Sequence, residues 1–261
     1  MPSSLLALLV AAAATVSPYR FDSPEVLDLS DASRLAPLQK TEVAFAPLAR
    51  DAAAAIVKMP AIDMDSPSQL QWSGKEAPAG KSTIAIATKS GKRVLFKDWA
   101  QPSRPDADGD HEHYVELAPI GATHYRRVEV QFGHDAPGSF LVNPDSGKTA
   151  FVHNGGDIAV PSPGGTSLVT MHPDNSPFLI SVASLDASGP SVALVCRGTE
   201  PSPIKSSAFK GWRNDKTFDV VVTIVESAPI AVRFTFDGKA WSAASSDAAT
   251  LKNSGYACWT P

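Results

Sequence analysis

The residues best suited to metal chemistry lie in one polar run, Asp106 to Glu116, which reads DADGDHEHYVE. Its three alternating aspartates offer carboxylates to a hard cation such as Ca²⁺: Asp106, Asp108 and Asp110. The spacing departs from an EF-hand loop, because the sixth position would be His111 rather than Gly and the twelfth Leu117 rather than Glu. The two interpretations are a looser Ca²⁺ loop and a solvated acidic loop.

His111 and His113 form an H-x-H pair in the same run. On a strand, residues two apart share a face, so both imidazoles could contact one Zn²⁺ ion. A third ligand would come from farther along the chain, with His124 and Glu116 as the candidates. The alternative is an ordinary surface pair, since the sequence contains no H-E-x-x-H motif and no paired C-x-x-C.

The sequence contains no local signature of a hydrolase. There is no G-x-S-x-G, no S-x-x-K followed by S-D-N and no H-G-G-G. We therefore favour a non-enzymatic protein without a cofactor. The alternative is a metal-dependent hydrolase that uses the region from Asp106 to His113, with Ca²⁺ or Zn²⁺ as its ion.

The two cysteines, Cys196 and Cys258, lie in different β-like segments. In an oxidising compartment such a pair commonly forms a disulfide, and two buried free thiols are the alternative. A catalytic thiol is the least favoured interpretation, because Cys258 lies three residues from the end of the sequence and neither cysteine has a recognisable local signature.

The elements that must position these residues are short strands. From Gly138 to His172, four apolar runs are separated by Pro-Asp-Ser-Gly, Asn-Gly-Gly and Ser-Pro-Gly-Gly, which predicts a meander of antiparallel strands joined by tight turns. The glycines lie between strands, and none opens a helix that would bind phosphate. Further strands are predicted at Ser82–Thr88, Lys92–Trp99, Ala122–Phe132, Phe178–Ser184, Ser191–Cys196, Phe218–Glu226 and Ala231–Phe236.

These elements predict an all-β fold with little helix, either an antiparallel meander in a β-sandwich or a partial propeller-like structure. We divide the chain into a signal peptide at 1–14, an extended N-terminal segment at 15–68 and a β-rich domain at 69–261. The N-terminal segment contains one predicted helix, Pro47 to Met59. Five tryptophans lie near predicted strand ends, where a large ring often closes a core: Trp72, Trp99, Trp212, Trp241 and Trp259.

The N-terminus and the composition indicate where the protein is found. Leu5 to Ala14 is an apolar run of signal-peptide length with an Ala-x-Ala-like cleavage site before Thr15, although no Lys or Arg precedes it. No later stretch reaches membrane length. The net charge of -4 argues against nucleic acid as a partner. We expect a periplasmic or secreted protein without a transmembrane segment in its mature form.

One stretch resembles a known structural unit. Leu141 to Met171, LVNPDSGKTAFVHNGGDIAVPSPGGTSLVTM, is similar to the strands and S-P-D-G turn of a TolB/PD40-type (WD40-like) β-propeller blade, and Gly211 to Val222 is similar to a strand that often follows. Gly164 replaces the Asp of S-P-D-G, so we expect this turn to lack its side-chain hydrogen bond. The chain also resembles secreted bacterial proteins of unknown function that carry a single such unit.

The resemblance supplies no catalytic residues, and such blades more often serve as binding or scaffolding surfaces. Together with the signal-like N-terminus, it predicts a binding or interaction module of the cell envelope. The expected partner is an envelope protein or glycan.

Overall fold

The computed structural model describes residues 41–62, 83–89, 91, 93–97, 99–100, 111–117, 123–132, 135–153, 158–172, 179–199 and 203–260. In chain order, the elements of these residues are β1 (Thr41–Glu42), β2 (Phe45–Pro47), α1 (Arg50–Lys58), β3 (Thr83–Ala87), β4 (Arg93–Lys97), β5 (Trp99–Ala100), β6 (His111–Leu117), β7 (Arg126–Phe132), β8 (Asp135–Val142), β9 (Thr149–His153), β10 (Ile158–Pro161), β11 (Ser167–His172), β12 (Leu179–Asp186), β13 (Gly189–Arg197), β14 (Ile204–Asn214), β15 (Thr217–Ile224), β16 (Ile230–Phe236), β17 (Trp241–Ser245), α2 (Ala248–Asn253) and β18 (Ala257–Thr260). The fold is all-β with little helix, as the sequence predicts.

Three sheets and one separate hairpin contain all of these strands. The middle sheet has the order β1-β18-β13-β12-β11-β10, the front sheet β14-β15-β16-β17-β2 and the rear sheet β5-β6-β7-β8-β9. Strands β3 and β4 form the two-stranded hairpin. Every pairing is antiparallel except that of β2 with β17.

The largest core lies between the middle and front sheets, which pack as a β-sandwich. Side chains alternate between the two faces along β15, so that Phe218, Val220 and Val222 of the front sheet all point into this core. Val221 points the other way and packs with Ala231 against Ala53 and Ile56 of α1. Helix α1 therefore covers part of the outer face of the front sheet.

The rear sheet packs on the other face of the middle sheet. Leu141 and Val152 of the rear sheet share a buried cluster with Leu168, Ala183 and Leu185 of the middle sheet. A further cluster joins the β3–β4 hairpin to the opposite face of the rear sheet, through residues such as Phe96 and Phe140. The order of layers is thus α1, front sheet, middle sheet, rear sheet and hairpin.

Most of the predicted strands are present within a few residues of their predicted bounds, and α1 lies inside the predicted helix Pro47–Met59. Residues 41–62, part of the predicted N-terminal segment, supply β1, β2 and α1 to this fold. The stretch Gly138 to His172 forms two antiparallel hairpins that belong to different sheets, β8–β9 in the rear sheet and β10–β11 in the middle sheet. The blade resemblance itself stays a prediction.

The turn between β10 and β11 has no Asp at position 164, but other side chains form hydrogen bonds with it. Ser162 Oγ accepts from the backbone N–H groups of Thr166 and Ser167 at 3.2 Å. The N–H of Gly164 donates to the carboxylate of Asp215, in the turn between β14 and β15. A Cβ atom at position 164 would lie 2.6 Å from Asp215 Oδ2, so glycine allows this link between the middle and front sheets.

Two tryptophans close the sandwich at the same end, as predicted. Trp241 is buried, and Trp212 packs against the core while its Nε1 donates to the carbonyl of Val160 at 3.0 Å. Trp259 is partly buried on β18, and Trp72 and the side chain of Trp99 lie outside the described residues. No helix of the described residues is long and apolar enough to cross a membrane.

Candidate functional site

The metal-site prediction falls mostly outside the described residues, where Asp106, Asp108 and Asp110 lie. His111 and His113 are the first and third residues of β6, but their side chains also fall outside the description. In the part of the chain that is described, no three His, Cys, Asp or Glu side chains converge as a metal site would require. Ca²⁺ or Zn²⁺ binding, and the hydrolase that would depend on it, therefore stay predictions.

The two candidates for a third zinc ligand contact other groups. The Glu116 carboxylate pairs with Arg126 on the neighbouring strand β7. His124 is exposed, and its Nε2 lies 3.9 Å from Oδ2 of Asp145.

Cys196 and Cys258 form a disulfide. They are direct partners in the register of β13 and β18, and both side chains are fully buried in the sandwich core. The alternative of two free thiols is therefore wrong. The bond ties the C-terminal strand to the middle sheet.

A group of charged side chains lies on the outer face of the front sheet, and we name it the arginine cluster: Arg213, Asp219 and Arg233. Asp219 follows Phe218 in β15, and because Phe218 points into the core, Asp219 points outward. Arg233 is the direct partner of Asp219 on β16, and it donates from Nε to Oδ1 at 2.8 Å and from Nη2 to Oδ2 at 3.2 Å. Arg213 donates from Nε to the same Oδ2.

Gly211 lies on β14 beside the arginine cluster. It is the partner of Asp219 in the register of β14 and β15, at an irregularity of β14. The φ of Gly211 is +116°, and a Cβ atom there would lie 3.3 Å from Cδ1 of Ile62, so another residue would be strained.

The arginine cluster combines a buried carboxylate with accessible cations. The Asp219 side chain has no exposed surface, whereas 40% of the Arg213 side chain and 23% of the Arg233 side chain are exposed. Two guanidinium groups around one carboxylate leave a net charge of +1. Since Arg213 contacts Asp219 through Nε alone, its Nη groups can donate to an added acceptor.

Helix α1 borders the cluster. Lys210, on the same edge strand as Arg213, donates from Nζ to the carbonyl of Met59 at 2.7 Å, just after the end of α1. A cation at a helix C-terminus interacts favourably with the helix dipole. Lys210 thus anchors α1 beside the arginine cluster and adds a further positive charge to this face.

A second polar group lies where the turns of the rear and middle sheets meet. The Tyr125 hydroxyl donates to the carbonyl of Asp186 at 2.8 Å and accepts from Asn143 Nδ2 at 3.5 Å, and burial raises the pKa of Tyr125. A hydrogen bond from Lys89 lowers the pKa of Asp145. These contacts join turns of different sheets, and we assign them a structural role.

Sequence reasoning missed the arginine cluster. Asp219 and Arg233 each interrupt an otherwise apolar strand, in FDVVV and AVRFTF, and such an interruption is the signal that could have found them. Arg213 carries no comparable signal, because it lies in the polar stretch WRNDK. That these residues meet depends on the pairing of three strands.

Comparisons with protein-family models, with curated proteins and with solved structures found no match to this chain.

Proposed function

We propose that the protein is a non-enzymatic binding module of the cell envelope, and that the arginine cluster binds carboxylate groups of its partner. The single observation that carries the proposal is the geometry of Arg213, whose side chain is 40% exposed while its Nε is held by the buried Asp219. A guanidinium fixed in this way loses less rotational freedom when it binds a carboxylate.

The envelope location is supported by the disulfide and the signal-like N-terminus. Disulfides persist in oxidising compartments such as the periplasm and the extracellular space, and are rare in the cytosol. A bond buried in the main core is suited to a protein that folds after export. N-terminal sequencing of the exported protein should find Thr15 as its first residue. A protein that stays in the cytosol and still carries residues 1–14 would contradict export.

Carboxylates are the expected target because arginine binds them through paired hydrogen bonds. They occur on acidic protein surfaces and on uronic-acid glycans, so two probes are needed. We would immobilise the wild-type protein and measure its affinity for a hexaglutamate peptide and for an oligogalacturonate. The probe that binds more tightly then identifies the kind of partner.

The decisive variant is Arg213→Gln, which removes one cation and leaves the two bonds of Arg233 to Asp219 intact. Loss of one charge-assisted hydrogen bond predicts affinity weaker by about tenfold. The matched control is Lys239→Gln, which removes one positive charge from the exposed turn between β16 and β17. Equal affinities for the wild type and Arg213→Gln, or no binding to either probe, would overturn the proposal.

A further inference from the structure

A row of hydroxyl side chains crosses the outer face of the front sheet. Thr217 on β15 is the direct partner of Thr235 on β16, and Thr235 is the direct partner of Ser242 on β17. We name these three residues the hydroxyl row. Thr217 and Thr235 are partly exposed and Ser242 is exposed, so solvent reaches all three.

The hydroxyl row lies on the same face as the arginine cluster. Thr217 precedes Asp219 by two residues on β15, and Thr235 follows Arg233 by two residues on β16. Residues two apart on a strand share a face and are separated by about 7 Å along the strand. The row is therefore one step along the sheet from the guanidinium groups that surround Asp219.

The hydroxyl row marks the open side of the arginine cluster. On the other side, Val221 and Ala231 pack against α1, which covers the outer face there. Toward β2 the surface is formed by small side chains, because Ala244 is the direct partner of Arg233 and Ala46 is the direct partner of Ala244. A partner that contacts Arg233 can therefore lie flat across the sheet, over the hydroxyl row.

The hydroxyl row offers both donors and acceptors to such a partner. A hydroxyl group donates one hydrogen and accepts with two lone pairs, so each threonine can pair with a group of either kind. Ser242 Oγ donates to the carbonyl of Thr235 at 3.1 Å and keeps its lone pairs for an incoming donor. This face thus combines a net positive charge at the arginine cluster with neutral hydroxyl groups beside it.

We propose that the partner of the arginine cluster is a uronic-acid glycan, whose carboxylate binds Arg213 and whose ring hydroxyls bind the hydroxyl row. This inference rests on the proposed function, because it names the kind of carboxylate that the arginine cluster binds. In a uronate the carboxylate is bonded directly to a ring that carries hydroxyl groups, so both kinds of group have a fixed spacing. In a glutamate peptide the carboxylate ends a flexible side chain, and ordering that side chain costs more conformational entropy.

The experiment measures the affinity of the immobilised full chain for an oligogalacturonate and for a hexaglutamate peptide at equal ionic strength. We expect the oligogalacturonate to bind about tenfold more tightly, because its hydroxyl groups add hydrogen bonds to the row. Methyl-esterified oligogalacturonate keeps the ring hydroxyls but loses the negative charge. It should bind at least tenfold more weakly than the free acid, as expected for loss of a charge-assisted hydrogen bond.

Thr217→Val and Thr235→Val test the hydroxyl row, because each removes a hydroxyl while valine keeps the branched shape that suits a strand. Each should weaken oligogalacturonate binding by about fivefold, as for one neutral hydrogen bond, and leave hexaglutamate binding unchanged. Thr223→Val is the matched control, because it lies on the same face of β15 but beyond Val221, which packs against α1. It should bind both probes as the wild type does.

Three results would overturn this inference: hexaglutamate binding as tightly as the oligogalacturonate, full binding of the methyl ester, or an unchanged oligogalacturonate affinity in both Thr217→Val and Thr235→Val. The proposed function would survive these results if Arg213→Gln still weakened hexaglutamate binding. If Arg213→Gln weakened the binding of neither probe, the proposed function and this inference would both be rejected.

Discussion

The arginine cluster of the front sheet and the buried residues Arg127 and Glu129 of the rear sheet both place charged side chains within β-strands, but they differ in hydrogen bonding. Asp219 accepts three hydrogen bonds from two arginines. Arg127, in contrast, has a buried Nε with no partner in the described structure. The carboxylate of the first group is fully hydrogen-bonded, whereas a donor of the second group is not satisfied within the described residues.

This difference separates two uses of a buried charge. In the front sheet the buried group is the acceptor, and the cations around it reach the surface, where they can meet a large partner. In the rear sheet the cation itself is buried. The surrounding cores differ too, since the disulfide lies in the core between the middle and front sheets.

The largest expected effect comes from removing the disulfide. The bond joins residues 62 positions apart, and loop-closure entropy predicts that Cys196→Ala/Cys258→Ala lowers the free energy of unfolding by about 4 kcal/mol. Urea unfolding followed by tryptophan fluorescence reports on the sandwich, where Trp212 and Trp241 lie. Reduced wild-type protein is the control and should match the variant. A loss below about 1 kcal/mol would mean that the bond does not set the stability of this core.

The second effect tests the hydrogen-bonded network of the arginine cluster. Asp219→Ala leaves two arginines without their shared acceptor, and we expect it to lower the free energy of unfolding by about 3 kcal/mol. This value is at the lower end for a broken buried pair, because both arginines reach solvent. Urea unfolding measures it, and Asp51→Ala in the exposed first turn of α1 is the control. Asp219→Asn keeps an acceptor oxygen and should lose less. If Asp219→Ala and Asp51→Ala lose the same amount, the network does not stabilise the sheet.

How far the sequence predicts this structure depends on whether a feature is local. Strands such as β3, β4, β7 and β15 were predictable, because their apolar patterns and turns lie within a few residues. The division of the Gly138–His172 stretch between two sheets was not, since β9 and β10 take partners set by packing. The pairing of β1 with β18 joins Thr41 to Thr260, and nothing near either residue indicates it.

The candidate sites follow the same rule. The disulfide was predictable because the chain has only two cysteines. The arginine cluster draws its residues from β14, β15 and β16, and the burial of Arg127 and Glu129 depends on which face of the rear sheet is covered. Alternation along β7 separates Arg127 and Glu129 from Val128, but it does not show that both faces are buried.

The third effect concerns the link between the front and middle sheets at Gly164. Restoring the Asp of the blade pattern with Gly164→Asp would place a Cβ atom 2.6 Å from Asp215 Oδ2 and bring two carboxylates together. Asp215 would have to move and release the Gly164 N–H, so we expect a loss of about 1 kcal/mol in urea unfolding. In an Asp215→Ala background the same change should cost less. A stabilising Gly164→Asp would show that the turn follows the blade pattern after all.

The smallest effect is the acid dependence, which compares turns of the rear and middle sheets with a turn of the front sheet. In the rear sheet, a hydrogen bond from Lys89 lowers the pKa of Asp145, and in the middle sheet, hydrogen bonds from Ser188 lower the pKa of Asp186. On the front side, the backbone N–H groups of Ala240 and Lys239 lower the pKa of Asp237.

Because each folded pKa is below the unfolded value, these groups stabilise the fold above about pH 4, and their contribution is lost as the pH falls below it. Urea midpoints between pH 7 and pH 3 measure the loss. Asparagine keeps an acceptor oxygen but does not titrate. The double variant Asp145→Asn/Asp186→Asn should therefore reduce the fall of the urea midpoint at acid pH more than Asp237→Asn does. If Asp237→Asn reduces the loss of stability at acid pH more, acid sensitivity belongs to the front sheet, and the turn aspartates of the rear and middle sheets contribute less to it.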